Sequence, residues 1–232
     1  MLSIIIPVYN EENTVLPLLS YLQKHTTSKN AEIIVVDGQS TDDTFQTVEV
    51  AGFKIVTSLK KGRASQMNKG AVISRGDILY FVHADSYPPE SFVDDILLAR
   101  NQGYKAGCYR FRFNSANPLL KINSYFTRFD RIMCRGGDQT LFMTRELFNE
   151  LDGFKESYKI MEDFDMIERI QERASFKIIP KEAIVSARKY KDNNYLKVNF
   201  INFVIFMMYF WGASQETMVH AYKSLIQKTK FG

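Results

Sequence analysis

Five short stretches of this chain hold side chains that could do chemistry. Asp37 follows the apolar run Ile33-Ile34-Val35-Val36 and stands at the carboxyl end of a strand. A carboxylate there only accepts hydrogen bonds, so it suits an N–H or a ribose hydroxyl, or its own turn. His83-Ala84-Asp85 closes the run Ile78-Leu79-Tyr80-Phe81-Val82. One carboxylate plus diphosphate oxygens is a normal arrangement for a hard divalent cation, although a strand-end turn uses the same residues. Gly62-Arg63-Ala64-Ser65-Gln66-Met67-Asn68 opens a helix through a glycine. Free N–H groups at a helix start and the Arg63 fork both suit phosphate. The loop is neither a dinucleotide fingerprint nor a Walker loop. Met161-Glu162-Asp163-Phe164-Asp165 sets three acids at the start of a helix. The helix dipole favours acids there, and an acid at a cleft can serve as general base toward a hydroxyl. Arg188-Lys189-Tyr190-Lys191 is a basic cluster that could clamp a diphosphate or simply be solvated. Taken singly, each stretch fits a turn, a cap or open surface at least as well.

The elements that must position these residues alternate. Residues 3–7, 32–36, 54–57 and 77–83 read as strands, and helical patterns fall between them at 13–24 and 64–74. Pro17 lacks an N–H, which keeps it in or next to the first turn of the first helix. Ser40, with Asp43 reaching back, reads as the cap of a second helix. Strand and helix in alternation predict an α/β doubly wound, mostly parallel sheet, with ligands at the carboxyl ends of its strands. The second half predicts helices at 88–101, 117–133, 145–151 and 162–173, with strands at 106–114, 139–143 and 176–180. From 193 to 228 the chain reads as helical, broken near Gly212.

Composition sets the bounds. The 232 residues are 45% hydrophobic and 24% charged, which excludes disorder, collagen and a disulfide scaffold. The net charge of +4 suits an anionic ligand without requiring nucleic acid. Cys108 and Cys134, without a CxxC, predict buried thiols in a reducing cytosol rather than a zinc site. The start of the chain reads as a strand, not a signal peptide, and the apolar run 200–213 is too short to span a bilayer.

Order along the chain adds what single motifs lack. Ser3-Ile4-Ile5-Ile6-Pro7-Val8-Tyr9-Asn10-Glu11-Glu12, then 33–44 through Asp37, then Asn68-Lys69-Gly70-Ala71, then 76–85 through Asp85, then Glu162-Asp163, resemble family 2 glycosyltransferases. The resemblance covers about residues 1–180 and implies the GT-A fold. A narrower likeness, carried by Gly62 to Asn68, His83-Ala84-Asp85, Gly136-Gly137-Asp138-Gln139 and Ser186-Ala187-Arg188, is to a small bacterial subgroup of transferases found beside radical-SAM and selenium-related genes.

The resemblance implies an inverting, metal-dependent transfer of one sugar from a nucleotide-diphospho-sugar to an acceptor hydroxyl. Asp163 is then the catalytic base. Pro7, Tyr9, Glu11, Asp37, Arg63, Gln66, Asn68, Ala84, Asp85 and Arg188 face the donor, with Asp85 on Mn2+ or Mg2+. Gly136, Gly137, Asp138, Gln139 and Glu162 face the sugar or the acceptor. His83 replaces the first acid of the family's DxD motif, and Gly38 replaces a second Asp common after the second strand. The motif of processive members is absent, which implies single-sugar transfer. A nucleotidyltransferase, or a sugar-nucleotide-binding protein without catalysis, is the alternative.

The chain is thus expected to form one domain. Residues 1–115 make a nucleotide-binding half, 116–190 an acceptor half and 193–230 a helical tail. The Phe/Met-rich tail is expected to pack on its own core or in a homodimer. A helix lying on a membrane surface is the sharper alternative. The expected location is the cytoplasm, or the inner face of the membrane.

Overall fold

The computed structural model describes residues 1–27, 29–135, 140–191 and 193–226. Its first half builds β1 (Leu2–Val8), α1 (Val15–Thr26), β2 (Ala31–Asp37), α2 (Thr44–Val50), β3 (Ile55–Thr57), α3 (Arg63–Ile73), β4 (Ile78–Phe81), β5 (Ser86–Tyr87) and α4 (Phe92–Asn101). The second half adds β6 (Ala106–Phe113), α5 (Pro118–Phe126), β7 (Leu141–Thr144), α6 (Arg145–Glu150), α7 (Glu162–Arg173), β8 (Phe176–Val185), α8 (Arg188–Lys191), α9 (Tyr195–Phe210) and α10 (Gln215–Leu225).

The strands form one sheet in the order β3-β2-β1-β4-β7-β6-β8-β5. The pairs β1–β2, β1–β4, β2–β3 and β6–β8 are parallel, whereas β4–β7, β6–β7 and β5–β8 are antiparallel. Side chains alternate across the pleat and feed two cores. Leu2, Ile4, Ile6 and Val8 of β1 pack with α1 and α4, and Ile5 packs with α3 and α7 on the other face. The order reverses between β1 and β4: the chain steps outward from β1 to β2 and β3, then returns through α3 to place β4 on the other side of β1. That reversal is the switch point where the sheet opens a crevice at its carboxyl edge.

Two glycines serve the crevice. Gly62, at φ 120°, turns the chain into α3 through a conformation that L side chains rarely adopt. Gly70 lets α3 settle on β1, where an added Cβ would lie 2.3 Å from a methyl of Ile5.

Several expected elements are corrected. The second helix begins at Thr44 with Asp43, not Ser40, at its cap position, because the Ser40 hydroxyl donates to Asp37 at 2.5 Å instead of capping. The helix expected over 117–133 stops at Phe126, and a separate 3-10 turn follows at Ile132–Cys134. The buried Arg135 guanidinium takes the Thr127 and Phe129 carbonyls that a longer helix would use. The strand expected to end at 180 runs to Val185, because a shift in register after Ile179 accommodates Pro180, which has no N–H to donate. The two-residue β5 had no signal of its own. Cys108 is buried, which pushes its thiol up to about 11, while Cys134 is only half-buried.

Candidate active site

At the switch point lies a cavity of about 250 Å³. The ends of β1 and β4 supply Pro7, Val8, Tyr9, Glu11, His83, Ala84 and Asp85. The entry to α3 supplies Lys61, Gly62, Arg63 and Gln66, and Gly38 and Lys159 complete the lining. Of the residues expected to face the donor, Pro7, Tyr9, Glu11, Arg63, Gln66, Ala84 and Asp85 line it. Asp37, Asn68 and Arg188 do not.

Each of those three has a defined place. Asp37 is buried and accepts from the backbone N–H of Gln39 at 2.9 Å and of Ser40 at 3.1 Å, so it holds its own turn. Asn68 donates to the Phe154 carbonyl at 2.8 Å and accepts from the Phe154 N–H at 2.9 Å, pinning the loop before α7. Arg188 reaches the rim, where Nη2 donates to Asp85 at 3.0 Å and Nη1 lies 3.7 Å from Glu11. The sheet explains this meeting of distant residues. β5 pairs Ser86 with Val185, and Ser186 N–H donates to the Asp85 carbonyl at 3.2 Å. The end of β8 is thereby carried to the end of β4.

Gln66 lines the cavity but is anchored beneath it. Its amide donates to the Val8 and Val36 carbonyls at 2.7 and 2.8 Å, bridging β1 and β2 where their ladders end. Gly38 makes room for it, since a Cβ there would lie 2.9 Å from Gln66 Nε2.

Two cavity cations were not singled out from the sequence. Lys61 sits 5.8 Å from the centre of the Tyr9 ring, and Lys159 approaches Glu216 of α10 at 3.3 Å. The run Lys60-Lys61-Gly62-Arg63 ahead of a helix was a usable signal for the first. Nothing local marked Lys159, which the fold brings in.

Behind His83 stands the first turn of α7. Met161, at φ 65°, turns the chain sharply into it. The three acids of that turn are treated differently. Asp165 is buried and neutralised, with Lys155 Nζ at 2.6 Å and Arg169 Nε at 2.8 Å. Glu162 is 1% exposed, with Arg63 Nε 2.7 Å from Oε1. Among the described residues, neither Glu162 oxygen accepts a hydrogen bond. Burial raises the Glu162 pKa, opposed by Arg63 and assisted by Asp163. A carboxylate with a raised folded-state value favours the fold in acid, and this contribution is lost as pH rises from the unfolded-state value through the folded one. Asp163 is buried, with Oδ2 3.9 Å from His83 Nε2. His83 therefore faces the acid of α7 and also lines the cavity. Gly136, Gly137, Asp138 and Gln139 lie outside the described residues.

The described residues hold no group of three or more His, Cys, Asp or Glu side chains able to cage a metal. The Asp85 side chain is one-third exposed and already faces a cation, Arg188. This donor set fits a divalent ion that brings its other ligands with a diphosphate, the usual habit of Mg2+.

The family described as Glycosyl transferase family 2 matches residues 3–153. An uncharacterized glycosyltransferase of Haemophilus influenzae is 28% identical over 189 residues, covering 76% of this chain and 64% of its own length. The poly(ribitol-phosphate) β-N-acetylglucosaminyltransferase TarS of Staphylococcus aureus is 32% identical over 139 residues, or 52% of this chain and 24% of its own. The chain thus spans less than two thirds of the length of these relatives. Among solved structures, the mannosyltransferase PcManGT from Pyrobaculum calidifontis, in complex with GDP-Man and Mn2+, superposes with a TM-score of 0.69 at 16% identity, covering 97% of this chain and 69% of that one. S. aureus TarS 1-349 in complex with UDP-GlcNAc gives 0.67 at 18% identity, covering 97% and 71%. Likeness at this identity establishes the fold, the GT-A arrangement of a mixed sheet flanked by helices. With most of its length matched by the family and its cavity at the switch point of that fold, the chain belongs to glycosyltransferase family 2.

Proposed function

We propose that the protein transfers a single sugar, with inversion, from a nucleotide-diphospho-sugar to an acceptor hydroxyl, within one domain divided into donor and acceptor halves. The observation that carries this reading is the placement of His83 between two features. The cavity with Asp85 lies on one side, and the buried Asp163 on the other. Lys61, Arg63, Lys159 and the rim residue Arg188 supply positive charge for a diphosphate. Asp37 and the turn it holds form the floor for base or ribose, and Asn68 acts by fixing the loop before α7.

Asp85 would hold Mn2+ or Mg2+ together with the donor phosphates. Such an ion, when bound, stabilises charge on the departing nucleoside diphosphate. The protein's own residues do the rest. Asp163 takes the proton from the acceptor hydroxyl as that oxygen attacks the anomeric carbon. His83 keeps the Asp163 carboxylate oriented, and Arg63 and Arg188 steady the diphosphate. Glu162 and residues 136–139 contribute the acceptor side. The motifs at 62–68 and 83–85 support membership of the bacterial radical-SAM-associated subgroup, and we read the protein as cytoplasmic.

Thermal shift against a panel of nucleotide-sugars, with and without Mn2+, tests the donor site. The true donor at a hundredfold excess over its Kd should stabilise by about 2.7 kcal/mol. Asp85→Ala should abolish the Mn2+-dependent part, and His83→Ala should retain it, since a neutral imidazole is a poorer partner for a hard cation. The reverse pattern would reassign the metal ligand. The product released should be nucleoside diphosphate; pyrophosphate would identify a nucleotidyltransferase instead.

A further inference from the structure

The helix α9 is apolar around most of its circumference. One stripe, Val198, Ile201 and Ile205, is buried, and its lower part packs with Ile160 and Met218. This meets the expectation that the tail packs on its own core. A second stripe does not. Leu196, Phe200, Phe203 and Phe210 recur at the spacing of one helical face and are 71%, 64%, 60% and 47% exposed. Trp211, at the end of the helix, is 77% exposed. A helix with apolar residues all round normally has partners all round.

The neighbouring α5 repeats the pattern. It is joined to α9 by Asn123, which donates to Asn199 at 2.9 Å and accepts from Tyr195 at 2.8 Å. Its Ile122, Tyr125 and Phe126 are about half exposed. Exposed apolar surface of this extent on two linked helices marks an interaction site.

We propose that this α5–α9 face docks on the surface of an anionic lipid bilayer. The charges select the occupant. Neither helix carries an acid, and each carries one lysine, Lys121 and Lys197. Arg128 and Arg131 follow α5, accompanied only by Asp130, which accepts from Gln171 at 2.8 Å. A two-fold contact between copies of this face would set a net positive charge against itself, with Asp130 the single acid among residues 118–131 and 195–210, whereas anionic headgroups complement it. The geometry agrees. The 16 residues of α9 reach about 24 Å, short of a hydrocarbon core of about 30 Å. No helix among the described residues is long and apolar enough to cross a membrane. The helix therefore lies in the interface plane, its aromatic stripe among the acyl chains and Trp211 at the headgroup level. Ring contact between Phe164 and Phe206, at 5.9 Å, couples this surface to α7 and hence to Asp163. The proposal does not depend on the chemistry performed there.

Flotation of the full chain with vesicles of equal parts phosphatidylglycerol and phosphatidylcholine tests it. The protein should float at low salt, less at high salt, and least with phosphatidylcholine alone. Trp211 is the sole tryptophan, so its emission should shift to the blue on binding. The double variant Phe200→Ser, Phe203→Ser should lower partitioning by about tenfold or more with an unchanged circular dichroism spectrum. Lys197→Glu, which is exposed and leaves packing intact, should lower it by at least about fivefold. Protein that stays at the bottom of the gradient at low salt, with no shift in emission, overturns the proposal. So does a dimer in vesicle-free solution that the Phe200→Ser, Phe203→Ser variant dissolves, since that gives the face to a second copy.

Discussion

Asp163→Asn should lower turnover by about 10² to 10⁴. The amide keeps the size and shape of the carboxylate but cannot accept a proton near neutral pH. The structure narrows the competition among the three acids that open α7. Asp165 is already bound to Lys155 and Arg169, so it has no spare capacity toward a substrate. Glu162 is the more deeply buried of the other two and lies against Arg63. Asp163 faces His83 of the cavity wall. Its loss should therefore affect the acceptor step and leave donor binding, measured by calorimetry with Mn2+, almost unchanged. Near-normal turnover in this variant, together with an inactive Glu162→Gln, would move the base by one residue. Loss of donor binding would give Asp163 a structural or metal-site role.

Asp165→Asn should instead unfold the protein more easily. The carboxylate is buried between two cations, and its removal leaves Arg169, with a side chain only 19% exposed, without its counter-ion. Lys155 is half exposed and can return to water, which tempers the loss. We expect about 2–4 kcal/mol, toward the lower end of what breaking a buried pair costs. For a chain of this size that is a fall in Tm of roughly 5–15 °C. Arg169 also donates to the Leu151 and Gly153 carbonyls at 2.6 and 3.0 Å, so the loop before α7 should loosen at the same time. Turnover per folded molecule at low temperature should survive better than in Asp163→Asn. An unchanged Tm with abolished turnover would mean that Asp165, not its neighbour, does the chemistry.

Much of this was legible in the sequence, for reasons that differ by element. The strands β1, β2 and β4 are apolar runs buried on both faces, and polar residues at their ends mark where the sheet opens. α3 announces itself by Gly62. The second half was harder because its pairings are remote. Nothing near Arg188 says that β8 lies parallel to β6 and ends beside Asp85, 103 residues away. Pro180 looks like the end of a strand until the bulge is seen. Asn68 and Gln66 were read as ligand contacts because a side-chain amide in a phosphate-like loop suits either a ligand or a backbone. Both serve the backbone here, Gln66 while also lining the cavity, and sequence alone could not rank the two.

The contact between Gly38 and Gln66 bears on how this site can change over generations. Gln66 cannot simply swing aside to admit a larger neighbour, since its amide holds two strand carbonyls at 2.7 and 2.8 Å. The two positions are therefore physically coupled. An Asp at 38 should be tolerated only where 66 has become small. Gly38→Asp alone and Gln66→Ser alone should each destabilise the fold, and Gly38→Asp with Gln66→Ser should recover part of the Gly38→Asp loss, a sign epistasis readable in the Tm values of the two single variants and the double. A lineage that exchanged one residue without the other would cross a valley of poorly folded intermediates, so a single missing Cβ constrains which pairs of residues can line this side of the cavity.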